Sequence, residues 1–216
     1  MSLQDFEKNF KQQKYDKAME ALNQLTKQMD PALFHYNKGL VFRAQEKLPL
    51  ARFHLEKARD LGHNSKALQL NLSELKSELF VTQLEEPRSF EEQVVNYALK
   101  LDPISYASIM GIAFVLWLLT HKVFKLLRLK ALLLLGLFAP ALCGVYLNQN
   151  YTRVLVINEA PLRFAPSQAF RPEAEVPPGA IVILEDDTGE WQHIYYPSTL
   201  RGWTQELSYR SFKHSF

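Results

Sequence analysis

The chain has 216 residues, with 25 basic and 23 acidic side chains and a formal net charge of +2. The charges of the N-terminal region are mixed along it, so there is no basic face of the kind that holds nucleic acid. The single cysteine, Cys143, excludes an internal disulfide and disfavours a thiolate metal site. About 100 residues precede a central apolar region and about 70 follow it, enough for one modest core on each side.

The opening MSLQDFEKNF is polar and lacks a basic segment followed by an apolar one, so it does not read as a secretory leader. From Leu3 to Leu84 the pattern is helical with short breaks. Phe6 and Phe10 share one face, and Tyr15, Ala18, Leu22 and Leu25 continue it at helical spacing. Asp30-Pro31 is a helix start, with a capping acid followed by a proline whose missing N–H does no harm. The next helix places Leu33, Tyr36, Leu40 and Arg43 or Ala44 along one side. Pro49 opens another helix, which Gly62 closes where a left-handed residue is wanted. Ser65 caps a further helix with Leu68, Leu72, Leu75 and Leu79 in a stripe.

Gly39, Phe42, Ala51, Leu55 and Ala58 alternate small and large residues on a helix pair, and Ala18 precedes Ala51 by about one 34-residue period. These residues resemble the tetratricopeptide repeat, with one good repeat, a degenerate one before it and a capping helix over Ser65–Leu84. The expected unit is residues 1–88. In such repeats the first helices line a peptide-binding groove, which on this alignment faces Tyr36, Asn37, Leu40 and Arg43. The alternative is that Tyr36 and Leu40 are core and Asn37 satisfies backbone groups.

Ser89 and Glu92 form a capping box for a linker helix over residues 89–102. Its apolar face is read as Phe90, Val94, Tyr97, Ala98 and Leu101, opposite Glu91, Glu92 and Lys100. With two acids on it, packing against the repeats is expected rather than attraction to anionic lipid.

Residues 103–148 hold two apolar runs, 104–120 and 131–147. Each has about 17 uncharged residues, or ~25 Å of helix before flanking residues are added. The connector carries Lys122, Lys125, Arg128 and Lys130 and no acid. The pattern predicts a transmembrane helical hairpin whose basic connector is cytoplasmic and whose two ends lie outside. In a bacterium this means a multi-pass inner-membrane protein with both termini periplasmic. Export of the N-terminal region then expects a processed or misassigned start, and a cytoplasmic N-terminal region is the alternative. Ala107 and Gly111, and Gly136, Pro140 and Gly144, have the small-residue spacing that lets helices pack closely, on each other or on a partner helix.

After Asn148 the pattern changes to short strands at Arg153–Ile157, Ala180–Glu185, Trp191–Tyr196 and Gly202–Thr204, with turn signals at Pro177-Pro178-Gly179 and Asp186–Gly189. Leu162-Arg163, Pro166-Ser167, Gly179, Ile181–Leu184, Trp191 with Ile194, and Gly202-Trp203 together resemble a bacterial SH3 domain over residues 151–209. That resemblance implies a small all-β barrel that binds peptides or cell-wall fragments. Trp191, Tyr195, Tyr196 and Trp203 are then candidates for an aromatic binding face, the alternative being that both tryptophans are barrel core.

No metalloprotease, hydrolase-elbow, phosphate-loop or paired-cysteine motif occurs. Glu190 and His193 are three apart on an expected strand and face opposite sides, so they do not share a metal. No catalytic residue, metal, cofactor or small-molecule substrate is expected. The order of parts resembles the E component of the Bat (Bacteroides aerotolerance) proteins, and the lack of a leader departs from it. The resemblance implies a multidomain membrane protein: a tetratricopeptide-like helical stack, a transmembrane hairpin and an SH3-like barrel. It further implies a non-catalytic scaffold in the inner membrane, partnered by other Bat proteins with von Willebrand A domains and associated with MoxR-type ATPases in envelope or oxidative stress tolerance. A peptidoglycan-binding envelope module or sensor is the alternative.

Overall fold

The computed structural model describes residues 2–86, 89–101, 103–121, 127–185 and 189–213, excluding the side chains of residues 103, 119–121, 127–135 and 137. Helices occupy the first part: α1 (Leu3–Lys11), α2 (Tyr15–Gln24), α3 (Pro31–Ala44), α4 (Leu48–Asp60), α5 (Lys66–Glu78), α6 (Phe90–Ala98), α7 (Pro103–His121) and α8 (Leu127–Asn150). Their starts follow from capping side chains. The carboxylate of Asp30 accepts the N–H of Leu33 at 3.0 Å, and the hydroxyls of Ser65 and Ser89 accept those of Leu68 and Glu92 at 3.2 and 3.1 Å. Gly62 follows α4 at φ +97°, which a side chain resists. The stack closes where Gly39 of α3 meets α4. A Cβ there would lie 2.7 Å from the Leu55 side chain and 3.2 Å from the carbonyl of Ala51. Leu68, Leu72 and Leu75 cover Ala51 and Leu55 from the other side.

The second part is a five-stranded antiparallel sheet in the order β6-β5-β4-β1-β7, with a two-stranded ribbon β2-β3. The strands are β1 (Tyr151–Val156), β2 (Ala160–Leu162), β3 (Ala174–Val176), β4 (Ile181–Glu185), β5 (Gln192–Tyr196), β6 (Gly202–Thr204) and β7 (Tyr209–Ser211). Arg163 and Trp203 pair as a single bridge that draws the ribbon onto β6. Val154, Val156, Val176, Val182, Leu184 and Ile194 fill the space between.

The helices and the sheet share a core. Val81 is fully buried among the sheet's valines, with Leu79 and Leu84 packed beside it. Gly179, at φ +82°, lets the β3–β4 turn sit on Leu79, 2.5 Å from where a Cβ would stand. Polar contacts reinforce this seam. The Arg52 guanidinium forks onto the Glu85 carboxylate and donates to the carbonyl of Gly179 at 2.6 Å, while Glu85 accepts the N–H of Ile181 at 2.6 Å. Arg153 of β1 pairs with Asp60 of α4. Thr199 donates to the carbonyl of Leu84 at 2.7 Å.

The linker helix α6 is rotated from its expected orientation. Phe90, Val94 and Tyr97 are exposed, and the buried side chains are Val95 and Glu92. The reason is on the sheet side. Val95 packs with Ile183 and Tyr196, and the Glu92 carboxylate accepts the N–H of Ser198 at 2.9 Å. A carboxylate that meets an unpaired backbone donor is worth burying, and hydropathy alone assigns it to water.

The expected transmembrane hairpin is overturned. Among the described residues no helix is long and apolar enough to cross a membrane. Helix α8 ends on the polar residues Asn148, Gln149 and Asn150. The expectations of a multidomain membrane protein with spans at 104–120 and 131–147, of a membrane partner, and of an inner-membrane location with periplasmic termini and a cytoplasmic connector are corrected accordingly. Lys122 and Lys125 lie outside the described residues, and Arg128 and Lys130 outside the described side chains.

Helices α7 and α8 pack side by side instead through Tyr106, which is seated on Gly144 and donates its hydroxyl to the carbonyl of Ala98 at 2.7 Å. Asn148 reaches the same carbonyl at 3.4 Å. Of the small residues expected at this contact, Gly144 alone is in close approach. Gly111 and Gly136 face open space, and Ala107 and Pro140 are exposed. Ile112, Phe114 and Val115 of α7 also remain exposed.

The seam predicts a contrast. Arg52→Met leaves the Glu85 carboxylate without its buried cation and lowers stability in urea unfolding by about 3–5 kcal/mol. Arg43→Met, which loses half-exposed pairs with Glu74 and Glu78, costs about 1 kcal/mol. Equal losses for the two variants would refute this account of the seam.

Candidate functional site

A cleft of about 410 Å³ opens on the outer face of the sheet between the end of the ribbon and the β5–β6 connection. Arg163 and Phe164 form one wall, and Arg201, Trp203 and His193 form the other. The local chain explains each placement. Gly202 lets β6 approach β2, since a Cβ there would lie 2.8 Å from the carbonyl of Arg163. The close approach is held by two backbone bonds between Arg163 and Trp203, at 2.9 and 2.8 Å. His193 faces Trp203 across the β5–β6 pairing and their rings stack at 4.5 Å. The imidazole is fixed in turn by Glu185, 2.9 Å from its Nδ1.

Cations stand over the neighbouring aromatic rings. The Arg163 guanidinium lies 5.8 Å from the Trp191 ring and the Arg201 guanidinium 4.9 Å from Tyr195. Phe164 is 73% exposed, the largest apolar group offered to a ligand here. Two arginines and one acid, Glu173, give the cleft a positive balance. Its size and its aromatic floor with a few fixed polar groups suit an extended peptide or a small ligand.

Of the aromatic residues expected on this face, Trp203 lines the cleft, and Trp191 and Tyr195 meet it only through the guanidinium groups of Arg163 and Arg201. Tyr196 does not line it, although its ring lies 4.7 Å from that of Tyr195. A register shift between Ile183 and Leu184 puts an extra residue in β5, so Ile194 points into the core and Tyr196 turns to α6, packed with Val95. Burial there, together with Glu91, raises the Tyr196 phenol pKa well above its ordinary value. Sequence reasoning missed Phe164, Arg201 and His193. The signal for them was weak: a basic–aromatic pair at one strand end and an arginine before Gly-Trp.

The expected groove residues on α3 do not converge. Tyr36 packs on the Ala51–Leu55–Leu68 cluster and its ring lies 4.6 Å from that of His63. Asn37 contacts the sulfur of Met29 at 3.8 Å, and Leu40 is half-buried. Arg43 bonds Asn71, Glu74 and Glu78, which ties α3 to α5.

A second cluster joins the two helices of the stack. His35 and His54 approach Nδ1 to Nδ1 at 2.8 Å, and His54 stacks on Phe42. Burial pushes the His54 pKa down to about 2, helped by the nearby cations Lys38, Lys57 and Arg210 and by His35. Among the described residues, no three His, Cys, Asp or Glu side chains are grouped to hold a metal ion.

Comparisons with protein-family models, with curated proteins and with solved structures find no match to this chain.

His54 has a definite pH consequence. The unfolded chain takes up a proton near pH 6.5 and the folded chain does not until about pH 2. Stability is therefore intact above pH 6.5 and falls as the pH drops, approaching about 1.4 kcal/mol per pH unit. Urea midpoints between pH 7 and 5 are expected to decline, and His54→Phe to flatten that decline. An unchanged slope in the variant would show that His54 is not its source.

Proposed function

We propose that the chain is a non-catalytic adaptor that receives an extended, acid-bearing segment of a partner protein in the cleft between Arg163 and Arg201. The observation that carries this reading is the cleft itself: two guanidinium groups above aromatic rings, with the exposed Phe164 between solvent and floor. Guanidinium groups match carboxylates in a fork, and aromatic surfaces bury the apolar parts of a peptide. The reactive-looking groups nearby are engaged elsewhere. The His193 imidazole is held by Glu185 and the Thr199 hydroxyl by the carbonyl of Leu84. Both favour binding over chemistry. The exposed apolar side chains of α7 also suit a protein that works in contact with others.

The resemblance to the E component of the Bat proteins makes a von Willebrand A-domain protein the first partner to test, in a role beside MoxR-type ATPases in envelope or oxidative stress tolerance. An aromatic floor also stacks on sugar rings, which keeps peptidoglycan as the second reading. In a titration of the full chain with a purified A-domain protein, followed by tryptophan fluorescence, saturable binding is expected. Phe164→Ala and Arg201→Ala, both at exposed positions, are expected to weaken it about tenfold without moving the unfolding midpoint. Wild-type affinity in both variants overturns the cleft as the binding site. Co-sedimentation with purified sacculi in place of A-domain binding favours the second reading.

A further inference from the structure

Imidazole is the side chain that changes charge between about pH 5 and 8, and the imidazole that lines the cleft is His193. Its ring lies against that of Trp203 at 4.5 Å and meets Tyr195 edge-on at 6.0 Å. Glu185 stands 2.9 Å from Nδ1. An ionised carboxylate accepts and does not donate, so the proton of the neutral ring sits on Nδ1. Nε2 is then a bare lone pair. Among the described residues it has no hydrogen-bond partner, and it is not enclosed by protein. The titratable and charged groups around the ring come from each neighbouring element. Glu185 belongs to β4 and Tyr195 to β5, Arg163 and Glu173 stand at the ends of β2 and β3, and Arg201 precedes β6.

The fixed tautomer gives the two protonation states opposite meanings to an acidic ligand. In the neutral ring Nε2 offers a lone pair, which repels a carboxylate oxygen. In the imidazolium Nε2 is an N–H donor, Nδ1 keeps its bond to Glu185, and the ring does not have to move. A cation on the face of the Trp203 ring is favoured as well. A carboxylate brought between Arg163 and Arg201 adds negative charge beside the ring, which favours the imidazolium.

We infer that His193 is the residue through which the cleft reads the charge of its segment: an acid-bearing segment binds with uptake of a proton at Nε2, which then donates to a carboxylate of the ligand. The inference rests on the reading of the cleft as a peptide site and adds a direction to it. The bound state holds more protons than the free state, so binding strengthens as the pH falls from about 8 to about 6. Aspartate side chains of a peptide, with an ordinary pKa of about 4, stay ionised throughout that window.

The test is calorimetric titration of the full chain with a short capped peptide of alternating aspartate and phenylalanine, at about pH 8 and about pH 6, in pairs of buffers with different ionisation enthalpies. Affinity about fivefold higher at the lower pH is expected, with net proton uptake that the buffer pairs read directly. His193→Gln keeps a polar side chain that does not titrate and is expected to bind the peptide equally at both pH values. A long-range proton–nitrogen correlation spectrum of the unliganded wild-type chain at about pH 8 is expected to show the His193 proton on Nδ1. Wild-type binding without pH dependence or proton uptake overturns the role of His193 and leaves the cleft as a peptide site. A pH dependence that persists in His193→Gln, or a proton on Nε2 in the spectrum, overturns it too. Absence of saturable binding at both pH values overturns the peptide reading of the cleft and this inference with it.

Discussion

Between the helices and the sheet lies a guanidinium that has left water altogether. Arg52 has no exposed surface, and neither has Glu56 one turn along the same helix. Burying such charges is costly unless every one finds a partner at good geometry. The partners come from both halves of the chain: Glu85 after α5, the carbonyl of Gly179 in the β3–β4 turn and Arg153 in β1. The arrangement exists only when helices and sheet are assembled in one relative position. Any sliding of one on the other would strand several charges at once, so the network fixes the geometry of the seam more firmly than apolar packing would.

The apolar part of the seam follows from that fixed position. Val81 completes a core otherwise built from strands, and Phe53 of α4 packs on Leu155 and on Phe212 beyond β7. Helix α6 adds Val95 against Ile183 and Tyr196. The cleft between Arg163 and Arg201 is lined from β2, β5 and β6. Arg163 and Arg201 gain their spacing from β2 and β6, which are pinned by two backbone bonds and by a glycine with no room for a side chain.

Much of this was legible in the residues. Capping side chains at Asp30, Ser65 and Ser89 marked helix starts, and Gly39 and Gly62 marked a close crossing and a helix end. The alternation of β-branched and aromatic residues located four of the strands. What was not legible depended on tertiary partners. Nothing near Glu92 in the sequence announces the N–H of Ser198 that makes its burial favourable. The separation of Tyr196 from Ile194, two residues before it, comes from a register shift, which a period-two reading cannot see. The apolar runs at 104–120 and 131–147 were read as spans from the sequence pattern, which does not show the seating of Tyr106 on Gly144. Of the site, sequence patterning found the tryptophans because aromatic strand residues stand out. It passed over Phe164 and Arg201 because single residues flanking a strand carry no periodic signal.

Leu79, Val81 and Leu84 have a bearing on how the polypeptide can be divided. They belong by sequence to the helical half and by position to the interior of the sheet. Cutting the chain before Tyr151, where composition invites a boundary, would give a β fragment with a hole in its wall and a helical fragment trailing three greasy plugs. Neither piece has a finished interior, so the two halves complete each other's fold.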